Sequence, residues 1–312
     1  MNLHAHDQEF KDAIVASSQK LSLPDVFVEK DYWVTWVLWN LSRLPDSDKF
    51  VFKGGTALSK AYKLIDRFSE DIDLAVLNRN LNGHQMKKLI SAVGKKIAAP
   101  PLCEKPSEHT TKGSAFRKVY HSYPKVDGLA GPFGQASSDL LIEISSFGNP
   151  TPFAKMPIQS FIGQALGSQV DGLGLESFEV NVLGLERTFA EKIMALVRAS
   201  YEGDRELRSK VRHFYDLIKM YPRVSRVFFE PGALKELVED VLQTDRNNPR
   251  LQNEWLERPV GEAPLFSDLS SVLEGVRSEY SGTQFGALVV GELPSLDLAK
   301  EILENARALI RS

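Results

Sequence analysis

The sequence predicts an α+β fold, a mixed α/β unit over residues 1–184 followed by an all-helical unit over 185–312. Three observations predict it. Short runs of strand-like alternation are interspersed with helical patterns as far as Leu183, and Gly184 closes the last of them. Beyond Gly184 only helical periodicity recurs. The composition, 43% hydrophobic and 25% charged over 312 residues, suits a folded chain of about two domains.

Taken in order, residues 7–43 read as two helices, the second opened by Ser22-Leu23-Pro24-Asp25 in capping-box style and carrying Trp33, Trp36, Leu38 and Trp39 on an apolar surface. Lys49–Lys53 is a short β-rich run that stops at Gly54-Gly55. A helix from Thr56 to Ile65 follows, then a strand over Asp71–Val76. Residues 83–97 form an amphipathic helix and 100–113 a loop. Strands at Phe116–Tyr123 and Asp139–Ser145 flank a glycine-rich connection. Three prolines make 149–157 an irregular connector, and Phe178–Leu183 alternates as a strand. Helices are expected at Thr188–Tyr201, Asp204–Tyr221, Gly232–Thr244, Asp268–Ser281 and Ser295–Ile310.

Composition excludes several classes. No apolar run approaches the ~18 residues a membrane span needs, and the N-terminus lacks the basic and apolar regions of a secretory signal. A lone cysteine, Cys103, makes neither an internal disulfide nor a multi-thiolate zinc site and fits a reducing cytoplasm. The formal net charge is −3, but residues 231–312 hold 8 basic and 14 acidic residues, so the front of the chain is net positive. Such asymmetry suits a polyanion partner and is also produced by solvated helix faces.

The chemistry concentrates in Lys53-Gly54-Gly55-Thr56 and in Arg67-Phe68-Ser69-Glu70-Asp71-Ile72-Asp73. Side chains alternate along a strand, so Asp71 and Asp73 share a face about 7 Å apart. Two such carboxylates repel unless a cation lies between them, and oxygen-only ligands suit Mg²⁺. Glu143, acidic inside an apolar strand, is the candidate third ligand. The glycine pair leaves backbone N–H groups free to face phosphate. Each feature alone has a plainer reading: a solvated strand face, a turn, and an edge-strand charge that deters aggregation.

Together these residues resemble the nucleotidyltransferase fold of the DNA polymerase β type, and more narrowly the AbiEii/AbiGii toxin family of type IV toxin–antitoxin and abortive-infection systems. Further blocks carry the resemblance: Glu29-Lys30-Asp31-Tyr32, Arg187-Thr188-Phe189-Ala190-Glu191-Lys192 and Arg212-His213-Phe214-Tyr215-Asp216-Leu217, so that it runs from residue 29 to 217. The spacing from Gly55-Thr56 to Asp71 is a few residues longer than the family's usual pattern. The resemblance implies an Mg²⁺-dependent enzyme that transfers a nucleotide from an NTP to RNA, the tRNA 3′ end above all, under control of a cognate antitoxin. Asp71, Asp73 and Glu143 are the expected metal ligands. Gly54, Gly55, Thr56 and Ser69 are the expected nucleotide contacts, and Lys192 and Asp216 complete the catalytic set.

Thr188-Phe189-Ala190-Glu191 has capping-box form and predicts Lys192 in the first turn of a helix, where a bound phosphate would offset its unfavourable place in the macrodipole. The plain alternatives are a Lys192–Glu pair and an Arg212–Asp216 pair at i,i+4. His213 reads as packing. Residues 186–226 hold 10 basic and 6 acidic residues, and with Arg117, Lys118 and His121 they suggest an electropositive rim for RNA. Two other outcomes keep the same fold: a small-molecule or protein acceptor, or a non-catalytic interaction protein.

Overall fold

The computed structural model describes all residues except 78–79, 132–136, 171, 250, 252 and 312, so part of the glycine-rich connection lies outside the described residues. The chain divides into two compact units. One comprises Met1–Lys63 and Phe68–Val182; the other comprises Leu64–Arg67 and Leu183–Ser312.

The first unit runs α1 (Asp7–Leu21), α2 (Asp25–Ser42), β1 (Phe50–Lys53), α3 (Gly54–Lys60), β2 (Ile72–Val76), α4 (Gly83–Ile97), β3 (Cys103–Lys105), β4 (Thr111–Lys112), β5 (Phe116–Ser122), β6 (Leu140–Ser145), β7 (Phe153–Ile158), α5 (Phe161–Leu166) and β8 (Phe178–Leu183). The sheet is mixed, in the order β3-β5-β6-β2-β1-β8-β7, with β4 paired to β5. β1 is antiparallel to β2 and parallel to β8, while β6 is parallel to β2 and antiparallel to β5. A parallel neighbour needs a crossover, and the chain between β2 and β6 supplies it with α4. Along β5 burial alternates strictly: Arg117, Val119 and His121 are buried and Lys118 and Tyr120 half-buried. The space beside Gly94 of α4 is filled by the Arg117 side chain, so α4 covers the Arg117 face, and the Lys118 face points the other way.

α2 is apolar almost all round, with Tyr32, Trp33, Val37 and Leu38 fully buried, as suits a helix enclosed by its unit. Its N-cap is Pro24, which accepts no side-chain bond, so the expected capping box does not form there. α3 begins two residues earlier than expected, with both glycines inside it, and stops at Lys60. The chain then leaves through left-handed Lys63 (φ 50°) into Leu64–Arg67, which belongs to the second unit. The proline-containing connector is in fact strand β7. Pro157 is compatible with a strand here because β7 is the last in the order, and proline within sheets is confined to such edges. Two short strands, β3 and β4, stand in the expected loop.

The second unit is helical: α6 (Leu185–Glu202), α7 (Asp204–Ser209), α8 (Val211–Val224), α9 (Ala233–Arg246), α10 (Leu269–Tyr280), α11 (Thr283–Gly286) and α12 (Leu298–Arg311). The expected single helix over 204–221 is broken at Lys210, whose backbone is not helical. Phe189, Ile193, Phe214, Leu217, Leu265 and Leu303 form part of its core. No helix among the described residues is long and apolar enough to cross a membrane.

Candidate active site

The sheet register aligns four charges in one row. Lys53 on β1 faces Asp73 on β2, Asp73 faces Glu143 on β6, and Glu143 faces Lys118 on β5. Laterally paired residues project to the same face, so two neighbouring carboxylates stand between two lysines. Asp71 precedes the first residue of β2, and its charge acts on both Lys118 and Lys30. Lys118 Nζ lies 2.8 Å from Glu143 Oε1. Burial is the largest influence and works against the Lys118 charge, but the bond to Glu143 and the charges of Glu143, Tyr120 and Asp71 together outweigh it and hold the ammonium above its usual value.

The glycine turn touches this row directly. Gly54 has φ +80°, and a Cβ built on it would lie 2.2 Å from Asp73 Oδ2. The first glycine therefore serves two needs, a left-handed backbone and room for the Asp73 carboxylate. Thr56, fully buried, donates its hydroxyl to Ser69 Oγ at 3.0 Å. Ser69 is not on the carboxylate strand, which begins three residues later at Ile72.

Among the described residues no three His, Cys, Asp or Glu side chains converge as a metal-holding group. Glu143 is paired with Lys118. The residues still fit Mg²⁺, which takes oxygen donors only and is commonly held by one or two carboxylates, with water and substrate phosphates completing its shell.

The motif before Asp71 is anchored by α2. Its three successive charges are all buried. Glu29 accepts from Val126 N at 2.7 Å, and burial raises its carboxyl to about 7. Lys30 donates to Ser137 O and lies 3.9 Å from Glu70. Asp31 accepts from Lys60 Nζ at 2.5 Å and from Phe161 N at 2.7 Å. Glu70 also accepts from Ser137 N at 3.0 Å. This role had a signal, three consecutive charges inside a largely apolar helix, but nothing in the sequence names their partners.

The second unit holds its own charge cluster. Arg67 grips Asp216 with both forks, Nε to Oδ1 at 2.7 Å and Nη2 to Oδ2 at 2.8 Å. Lys192 Nζ reaches Asp216 Oδ2 at 2.6 Å and lies 3.4 Å from His213 Nδ1. Asp216 is fully buried; desolvation opposes its charge, but Arg67 and Lys192 prevail and hold its carboxyl below the usual range. Burial, then Lys192, pushes His213 far below its usual value, so the ring is neutral and Nδ1 can accept from the ammonium. Asp216 thus sits in a buried charge cluster and not on a helix surface. Segment Leu64–Arg67 is further pinned by Lys219 to Asp66 at 2.7 Å, Asp66 N donating to Tyr215 Oη at 3.1 Å, and Val290 N donating to Asp66 O at 2.6 Å. Sequence reasoning gave Arg67 no role; its partner lies 149 residues away.

The capping expectation at Thr188 is corrected. α6 begins at Leu185, Thr188 donates to the Gly184 carbonyl instead of capping, and Lys192 is the eighth residue, beyond the first turn where the macrodipole acts. The electropositive rim is corrected in part. Arg117 and His121 are buried on the face opposite Lys118, Arg198 meets Asp245 at 2.5 Å, and Lys210 meets Glu206 at 2.6 Å.

A mixed sheet with a glycine turn set against a carboxylate strand, in a chain that continues into a helical unit, defines the class as nucleotidyltransferase. Residues 36–282 match the family described as "Nucleotidyl transferase AbiEii toxin, Type IV TA system", and the chain belongs to that family. Among solved structures it is similar to MenT4, a nucleotidyltransferase toxin from Mycobacterium tuberculosis H37Rv, at 16% identity and TM-score 0.52, over 96% of this chain and 99% of that one. At that identity the likeness shows the fold. No curated protein matches the chain.

Proposed function

We propose that this toxin transfers a nucleotide from an NTP to an RNA acceptor, the 3′ end of tRNA, and so blocks translation. The acceptor hydroxyl oxygen would attack the α-phosphate, the bond to the β-phosphate oxygen would break, and pyrophosphate would leave while the hydroxyl proton passes to solvent. Asp71 and Asp73 would hold Mg²⁺, with Glu143 as the third ligand. Bound there, the ion supplies charge neutralisation of the triphosphate and a more acidic acceptor hydroxyl. Gly54, Gly55, Thr56 and Ser69 are assigned to the triphosphate. Lys192 is assigned as the cation that answers phosphate charge and Asp216 as the residue that orients it. Family membership supports the reaction class and a cognate antitoxin partner. The observation that carries the reading is the packing of the Asp73 carboxylate against Gly54, with Glu143 beside it in register, because this joins turn and carboxylates in one place.

The test is incubation of purified protein and Mg²⁺ with total tRNA and each of the four labelled NTPs. Label on the RNA, lost with EDTA and with Asp71→Asn, is the expected result. Growth inhibition by an Asp71→Asn protein that is well expressed would refute the enzymatic reading and favour toxicity by binding.

A further inference from the structure

The carboxylate row is flanked by lysines, Lys53 on the Asp73 side and Lys118 on the Glu143 side. Lys118 is the lateral neighbour of Glu143, its ammonium sits 2.8 Å from Glu143 Oε1, and the two side chains keep 29% and 26% of their exposure. The pair is therefore neither sealed in the core nor loose on the surface, and a small ion or a nucleotide can compete for it. Asp71 also pulls on Lys118, so the ammonium lies in the field of two of the three expected metal ligands. The other face of β5 shows what a structural charge looks like here: Arg117 is buried against Gly94 of α4.

We infer that Lys118 is a positioning residue that occupies Glu143 in the nucleotide-free protein and so makes divalent-cation binding depend on the nucleotide. A bare ion arriving at Asp71 and Asp73 must displace the Lys118 ammonium to gain Glu143. An ion arriving with a triphosphate brings phosphate oxygens of its own and depends less on that displacement. Metal and nucleotide then favour each other's binding, and by linkage each raises the other's affinity by the same factor. No bond is made or broken; the exchange is of one cation for another at one carboxylate.

This rests on the proposed metal–nucleotide site, and the experiment separates the two ideas. Mn²⁺ is titrated calorimetrically into nucleotide-free wild type, Lys118→Met, Glu143→Gln and the double variant, and then into wild type and Lys118→Met saturated with each NTP. Removing a partly exposed ion-pair partner should tighten Mn²⁺ binding to free Lys118→Met by about threefold to tenfold. The gain should vanish in the double variant, and nucleotide should enhance Mn²⁺ binding less in Lys118→Met than in wild type. Equal affinities for free wild type and Lys118→Met would overturn the inference. So would a gain that persists with Glu143→Gln, since it would then reflect loss of one positive charge and not release of Glu143. Lys118→Gln provides the same comparison if the methionine variant fails to fold. If wild type binds Mn²⁺ no better with any NTP than without, the proposed nucleotide site itself fails.

Discussion

Replacing Gly54 by alanine is the sharpest probe of the turn. Two costs can be read separately. At φ +80° any L-residue pays about 1–2 kcal/mol for left-handed backbone. The new methyl would also lie 2.2 Å from Asp73 Oδ2 and 3.2 Å from its Cγ, where carbon contacts normally settle at about 3.5–4.0 Å, so the carboxylate must swing by about 1 Å or more. Overpacking of that kind adds about 1–3 kcal/mol. Gly172 is the control: it has the same φ of +80° in the same unit, but nothing lies within 4 Å of its Cβ position. Gly172→Ala should therefore show the backbone cost alone. At about 2–4 °C per kcal/mol for a unit of this size, Gly54→Ala should melt several degrees below Gly172→Ala. Intrinsic fluorescence suits the measurement because Trp33, Trp36 and Trp39 all lie in the first unit. Mn²⁺–NTP binding should fall at least about tenfold in Gly54→Ala, because the displaced Asp73 loses its place, and should be unchanged in Gly172→Ala. Equal melting temperatures with intact nucleotide binding in Gly54→Ala would refute the argument.

Asp216→Asn leaves Arg67 and Lys192 facing a neutral amide in the core, and urea unfolding should show a loss of about 3–5 kcal/mol. Since the folded carboxyl titrates below its usual range, the Asp216 contribution is full above the unfolded value near pH 4 and is lost only as pH falls through the folded one. The gap between variant and wild type should therefore be flat from neutral pH down to about 4 and close below it. Glu29 has the opposite sign: its folded value of about 7 lies above the model-peptide 4.5, so its proton favours the fold, and that stability is lost as pH rises from 4.5 through 7. Glu29→Gln keeps an acceptor for Val126 N and should remove this slope, gaining at most about 3 kcal/mol at pH 8; an unchanged pH–stability curve would exclude Glu29 as its source. Ser69→Asp should abolish transfer by placing negative charge beside Thr56, with Ser69→Ala milder; equal, near-wild-type rates in both would remove Ser69 from the site.

Local pattern determined the strands and most helices. β2, α4 and β8 are legible because alternation at period 2 and apolar recurrence near 3.6 are properties of a few consecutive residues. The same locality made Asp71, Asp73 and the glycine pair readable as candidates. It failed where distant partners decide. β7 exists despite its proline because it is an edge strand, and edge position is a property of the assembled sheet. The start of α6 at Leu185, which moved Lys192 out of the first turn, was set by the chain entering from β8 and not by the Thr188 motif. Only the tertiary structure decided that Asp216 is a buried anion shared by Arg67 and Lys192, and that Lys118 holds Glu143. The physical reason is common to both. A charge acquires its meaning from the groups within about 4 Å of it and from the water excluded around it, and here those groups lie 149, 24 and 25 residues away in the chain.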